Sequence, residues 1–136
     1  MTWFLSQNLG LTSTIHDGEL VSDCNYSIFR KDRNRHGGGV FVVVAKYLSP
    51  VRKYEFEHVD LELLMIEVCT KHGKVLLGGI YRPPNSSAQF FDHFQTVLEK
   101  ILPFSQQYFA IALLGDFNID LQLGNSTCGS TITYCY

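Results

Sequence analysis

Hydrophobic and polar positions along the chain follow first a period of two and later one of three to four. Tyr26-Ser27-Ile28-Phe29-Arg30 alternates apolar and polar, Lys31 to Gly39 is charged and glycine-rich, and Val40-Phe41-Val42-Val43-Val44 is β-branched, which predicts a hairpin with a long polar turn. Leu61 to Val68 alternates carboxylates with apolar residues, Lys71-His72-Gly73-Lys74 is a turn, and Val75 to Tyr81 resumes the sheet until Pro83-Pro84 stops it, because proline has no N–H for the ladder. Phe90, Phe91, Phe94, Val97, Leu98, Ile101 and Leu102 then recur at steps of three and four. This predicts a helix between Ser86 and Leu102, capped by Ser86 or Ser87 and ended by Pro103. Phe109 to Leu114 has no polar face, as expected of a central strand covered on both sides. Leu121 to Tyr136 carries weak alternation among Gly, Ser, Thr, Asn and Cys, and no element is assigned to it. Hairpin, hairpin, helix and buried strand together predict a mixed α/β sheet with a helix on one face.

Composition narrows the class. A chain of 136 residues, 46% hydrophobic and 18% charged, has room for one globular core. Its apolar runs fall short of the roughly 20 residues of a membrane span, and its first residues have no secretory pattern, so an intracellular protein without a membrane partner is expected. Cys24, Cys69, Cys128 and Cys135 lack paired spacing, which supports neither a zinc ribbon nor a dithiol motif, and Cys69 reads as a buried strand thiol. The net charge is −2, yet four of the eleven Lys and Arg residues lie between Arg30 and Arg35. Any contact with nucleic acid must therefore be local. His16, His36, His58, His72 and His93 show no ligand-like spacing and are read as non-catalytic.

Candidate chemistry concentrates at two strand ends. Gly115-Asp116-Phe117-Asn118 follows the apolar run, and if the backbone stays extended the carboxylate and carboxamide point to one side. Asp116 could then orient an attacking water while Asn118 donates to a phosphate oxygen. The plainer reading is a turn, since both residue types satisfy free backbone amides. In Ile80-Tyr81-Arg82-Pro83-Pro84 the phenol could hydrogen-bond a phosphate and Arg82 could contact a nucleic-acid backbone, against the plainer reading of packing and a solvated arginine. Arg30, Arg33 and Arg35 form either a phosphate-contacting loop or a solvated turn; Gly37-Gly38-Gly39 is no P-loop, because no Lys-Ser or Lys-Thr follows it.

Taken in order, Tyr26-x-x-Phe29-Arg30-Lys31-Asp32-Arg33, Gly37-Gly38-Gly39-Val40, Gly79-Ile80-Tyr81-Arg82-Pro83-Pro84 and Leu114-Gly115-Asp116-Phe117-Asn118 resemble the endonuclease domain of LINE-type (non-LTR) retrotransposons, of the endonuclease/exonuclease/phosphatase (DNase I-like) superfamily. The resemblance runs from about Thr2 to Asp120 and leaves residues 121–136 as an unassigned tail. It implies an incomplete four-layer α/β sandwich with mixed β-sheets, and Mg2+-dependent nicking of DNA in the nucleus. By the same resemblance Tyr81 is the phosphate-binding tyrosine, Asp116 the water-activating carboxylate and Asn118 the residue that helps hold the scissile phosphate; Arg30, Arg33 and Arg35 fall in a loop that could meet DNA, and no catalytic role is carried onto them.

The departures set further expectations. Where the family has a metal-binding glutamate before Thr-Trp, this sequence has Met1 before Thr2-Trp3-Phe4, and neither the family's first strand nor its terminal Asp-His pair is found. No metal ligand is carried over. Little nuclease activity and marginal stability are expected, with a nucleic-acid- or protein-binding remnant using the Arg30 to Arg35 loop as the alternative.

Overall fold

The computed structural model describes residues 3–7, 24–33, 39–118 and 134–135. Two sheets, one α-helix, three short 3-10 helices and their connections account for them. Strands β1 (Trp3–Gln7), β2 (Tyr26–Asp32) and β3 (Gly39–Ala45) form an antiparallel sheet in the order β1-β3-β2. The predicted first hairpin is β2 with β3, in register from Tyr26 opposite Ala45 to Asp32 opposite Gly39. Gly39 makes that register available, since it has φ +134° and a Cβ there would lie 2.5 Å from the Lys31 carbonyl oxygen.

The second sheet contains β4 (Val51–Arg52), β5 (Glu62–Thr70), β6 (Gly73–Tyr81), β7 (Ala110–Asp116) and β8 (Tyr134–Cys135), in that order. All its pairings are antiparallel except β6 with β7, which the helix α1 (Gln89–Ile101) connects as a crossover. The sheet is therefore mixed, as the element order predicts. The tail given no element supplies β8, paired with Ala112 and Leu113 of β7.

Strand alternation divides the core into layers. Leu63 and Met65 of β5, Leu76 and Ile80 of β6 and Leu113 of β7 face α1, meeting Phe90, Val97 and Ile101. Leu64, Ile66 and Val68 of β5 with Leu77 of β6 face the other way, onto Val40, Val42 and Val44 of β3. Among the described residues the layers are thus helix, five-stranded sheet and three-stranded sheet. Both faces of β5 are buried, which explains its nearly continuous run of aliphatic residues.

Several local expectations are corrected. Neither serine hydroxyl caps α1: its N-cap is Ala88 with no side-chain cap, and Ser86 Oγ instead donates to the Pro83 carbonyl at 2.6 Å. Pro103 does not end the helical path, which tightens into a 3-10 helix over Leu102–Gln107 with proline in its first turn. There the missing N–H has no partner to lose. β7 is only partly covered, with Leu113 buried but Ala110, Ile111, Ala112 and Leu114 intermediate, and Phe109 is 63% exposed. Cys69 is exposed near the β5–β6 turn rather than buried. None of the described helices is long and apolar enough to cross a membrane.

One half-buried phenol ties the approach to β7 onto β5. Tyr108 Oη donates to Glu67 Oε2 at 3.0 Å, and Lys74 Nζ lies 2.8 Å from Glu67 Oε1. Burial and the Glu67 carboxylate push the Tyr108 phenol up to about 12. A phenol held protonated by folding stabilises below its ordinary value near 10, and that contribution is lost as pH rises through about 12. Tyr108→Phe should thus show a flatter fall in unfolding free energy across this alkaline window than the parent chain. Parallel curves in denaturant titrations would remove Tyr108 as the cause.

Candidate functional site

Residues from three adjacent strands line up at one end of the five-stranded sheet. Glu62 of β5 pairs with Tyr81 of β6, and Tyr81 pairs with Asp116 of β7. Each lies an even number of positions from a residue on the face toward the three-stranded sheet, namely Leu64, Leu77 and Ala112. The three side chains therefore share that face. Tyr81 and Asp116, far apart in sequence, are brought side by side by parallel pairing.

Beyond Asp116 the chain turns. Asn118 has φ +43°, so the extended geometry that would put Asp116 and Asn118 on one side does not hold. Asp116 Oδ1 accepts the Asn118 backbone N–H at 2.9 Å, and Asn118 Nδ2 donates to the Arg82 carbonyl at 2.7 Å. This is the turn chemistry of the plainer reading, and it fixes the carboxylate at the strand end through one of its oxygens. Orientation and turn formation are the same hydrogen bond here.

Arg82 is half-buried rather than solvated. Its Nη1 donates to the carbonyls of Phe117 at 3.3 Å and Asn118 at 3.0 Å, and its Nη2 to that of Ser86 at 3.2 Å. The guanidinium also lies over the rings of Phe90 and Phe91, 5.5 and 5.0 Å from their centroids. It joins the loop after β6 to the loop after β7, holding the strand ends that carry Tyr81 and Asp116 together.

Among the described residues of the basic loop, Arg33 reaches the site. Arg33 pairs with Glu62, Nε to Oε1 at 2.5 Å, and its guanidinium lies 5.2 Å from the centroid of the Tyr81 ring. Glu62 Oε2 is buried with no hydrogen-bond partner. Arg30 turns onto Asp32, with Nη2 to Oδ1 at 2.9 Å. Arg35, Gly37, Gly38 and Met1 lie outside the described residues. In the sequence Glu62 was only one of two carboxylates in an otherwise apolar run; its place beside Tyr81 follows from register.

A cleft of about 300 Å³ opens beside this row, lined by Asp60, Glu62, Tyr81, Ser86, Gln89 and His93 among others. His58 and Asp60, from the loop before β5, meet His93 of α1 at its edge, with all three ligating atoms within 4.8 Å of one another. Burial foremost, then the neighbouring His93 ring, holds His58 below the ordinary imidazole range. Sequence spacing gave no sign of this cluster, because packing of α1 on the sheet supplies its third member.

Mg2+, the cation that the resemblance implies, takes near-octahedral oxygen ligands including one or two carboxylates. Glu62 and Asp116 supply two carboxylates at the strand end, and among the described residues no group of three ligating side chains includes Asp116. The group of three that exists carries two imidazoles.

No protein-family model and no curated protein matches the sequence. Solved structures do match. The endonuclease domain of TRAS1, a telomere-specific non-LTR retrotransposon, superposes with a TM-score of 0.53 at 10% identity, covering 71% of this chain and 42% of that one. D. rerio TDP2 complexed with single-strand DNA product gives 0.57 at 16% identity, covering 86% and 48%. The human Nocturnin catalytic domain with bound sulfate gives 0.59 at 9% identity, covering 88% and 52%. The chain spans about half the length of these structures. On that span it has the α/β fold of the DNase I-like endonuclease/exonuclease/phosphatase proteins.

Proposed function

We propose that the chain is part of a DNA phosphodiester-cleaving domain of the LINE-retrotransposon type, and that this polypeptide by itself nicks DNA poorly. The observation that carries the reading is the in-register placement of Tyr81 beside Asp116, with Asn118 on the following turn. Asp116 orients an attacking water, while the Tyr81 hydroxyl and the Asn118 amide serve as donors to a phosphate. DNA as partner draws support from the DNA product bound to D. rerio TDP2, and a retrotransposon origin from the TRAS1 likeness. A nuclear location goes with that substrate. Poor nicking is inferred from Asp116 standing in no group of three ligating side chains among the described residues; loss of a metal's charge stabilisation costs on the order of several kcal/mol in the transition state.

The test is nicking of supercoiled plasmid by the purified chain in Mg2+. Trace activity is expected, reduced further by Asp116→Ala. Robust nicking abolished by Asp116→Ala would overturn the inactivity, and nicking unchanged by both Asp116→Ala and Tyr81→Phe would overturn the site.

The nucleic-acid-binding alternative is favoured by Arg33, an exposed residue whose guanidinium stands over the Tyr81 ring. An incoming phosphate would compete with Glu62 for its guanidinium. Fluorescence anisotropy with labelled DNA should show affinity that falls with added salt and weakens in Arg33→Ala. Salt-independent binding, or binding indifferent to Arg33→Ala, would remove this alternative.

A further inference from the structure

We propose that His58, Asp60 and His93 form a binding site for a divalent transition-metal ion of the Zn2+ class, at the edge of the cleft and separate from Tyr81, Asp116 and Asn118. Two imidazoles and one carboxylate are a donor set that suits Zn2+, whereas Mg2+ and Ca2+ favour all-oxygen shells. A tetrahedral Zn2+ with ligands at about 2.0–2.1 Å holds neighbouring donor atoms about 3.4 Å apart. Here Asp60 Oδ2 lies 3.7 Å from His58 Nδ1 and 4.0 Å from His93 Nε2. The three ligating atoms all lie within 4.8 Å of one another, so closing the site takes a contraction of about half an ångström at the Asp60 pairs and a side-chain rotation that brings the two imidazole nitrogens together.

The donors are positioned independently of any ion. Lys31 Nζ donates to the His58 carbonyl at 2.8 Å, the Asp60 backbone N–H donates to His58 Nδ1 at 3.2 Å, and the Leu61 N–H closes the turn on the His58 carbonyl at 3.3 Å. His93 is held by α1, whose Phe90 and Val97 are buried in the core. The two rings stack at 4.4 Å between centroids and 18° between planes, so their in-plane lone pairs run nearly parallel and one ring must turn about its side-chain torsions to share an ion with the other. An ion would replace the Asp60 N–H at His58 Nδ1, a contact that an exposed loop amide can exchange for water.

Three protein ligands leave a fourth position open, as at catalytic rather than structural zinc sites. Asp60 and His93 both line the cleft that holds Glu62 and Tyr81, so that position borders it. A water, or an oxygen of an anion entering the cleft, would fill it. The site is independent of the nuclease reading, because it is tested by metal binding rather than by cleavage.

Isothermal titration of the full chain with Zn2+ should give one site, and Co2+ should give the visible absorption of a low-coordinate ion. Since loss of outer-shell partners alone costs about 10–100-fold in metal affinity, His58→Gln and His93→Gln should each weaken Zn2+ by at least roughly 100-fold. His72→Gln should leave it unchanged. Asp60→Asn alters a side chain that is 60% exposed, and reads the same site where packing is undisturbed. Zn2+ binding that survives both His93→Gln and Asp60→Asn, or that is absent from the parent chain, overturns the proposal.

Discussion

Gly115→Ala should destabilise the domain by about 3 kcal/mol, at the upper end of what overpacking costs. A Cβ at this position would lie 1.7 Å from the Ile80 carbonyl oxygen and 2.7 Å from its carbonyl carbon. These are backbone atoms of the paired strand, so no rotamer change relieves the clash; β6 and β7 must separate. Ile80 and Gly115 are partners in that parallel pairing, next to Tyr81 and Asp116. The substitution therefore strikes the step that aligns the candidate site. Chemical denaturation should show a lower midpoint, and any DNA affinity that depends on Tyr81 should fall with it. A loss below about 1 kcal/mol would mean that the strands accommodate a methyl group, and that their close approach is not required.

Arg82→Ala is expected to cost about 3 kcal/mol, although arginine beside proline at a strand end looks dispensable. Its guanidinium donates to three backbone carbonyls, those of Ser86, Phe117 and Asn118. Hydrogen bonds from charged donors contribute about 1.5–3 kcal/mol each, without adding fully. Arg82→Lys should recover only part of the loss, because an ammonium cannot span two loops with a planar fork. Thermal unfolding of both variants, beside DNA binding at two salt concentrations, separates the brace from a phosphate contact. Unchanged stability with weakened, salt-sensitive binding would assign Arg82 to DNA instead.

Much of the fold is legible in particular residues. Val40 to Val44, Glu62 to Val68 and Val75 to Tyr81 became strands because their β-branched and aliphatic side chains suit a pleated, buried surface. The phenylalanine stripe from Phe90 to Phe94 marked the helix, whose apolar face could be buried only against a sheet. The short β4 and β8 escaped notice because two residues carry no period. Capping and coverage were misjudged for a related reason. Ser86 satisfies a local carbonyl rather than the helix, and the exposure of Phe109 depends on what neighbouring elements leave uncovered.

The candidate site was half legible. Tyr81, Asp116 and Asn118 stood out by type and by position at the ends of apolar runs, and the structure gathers their backbone positions at one sheet end. The orientation of Asn118, the bracing role of Arg82 and the partnership of Arg33 with Glu62 were not visible. Each depends on a partner distant in sequence.

Sequence alone determined the types and order of β2, β3, β5, β6, α1 and β7 and the residue types available for phosphate chemistry, because period, branching and proline placement act within a few residues of the chain. Tertiary structure decided which of those residues meet. Parallel pairing of β6 with β7 set Tyr81 against Asp116, and docking of α1 brought His93 to His58 and Asp60. Register and helix docking are fixed by burial of whole faces, a property of the assembled layers that no local stretch of residues carries.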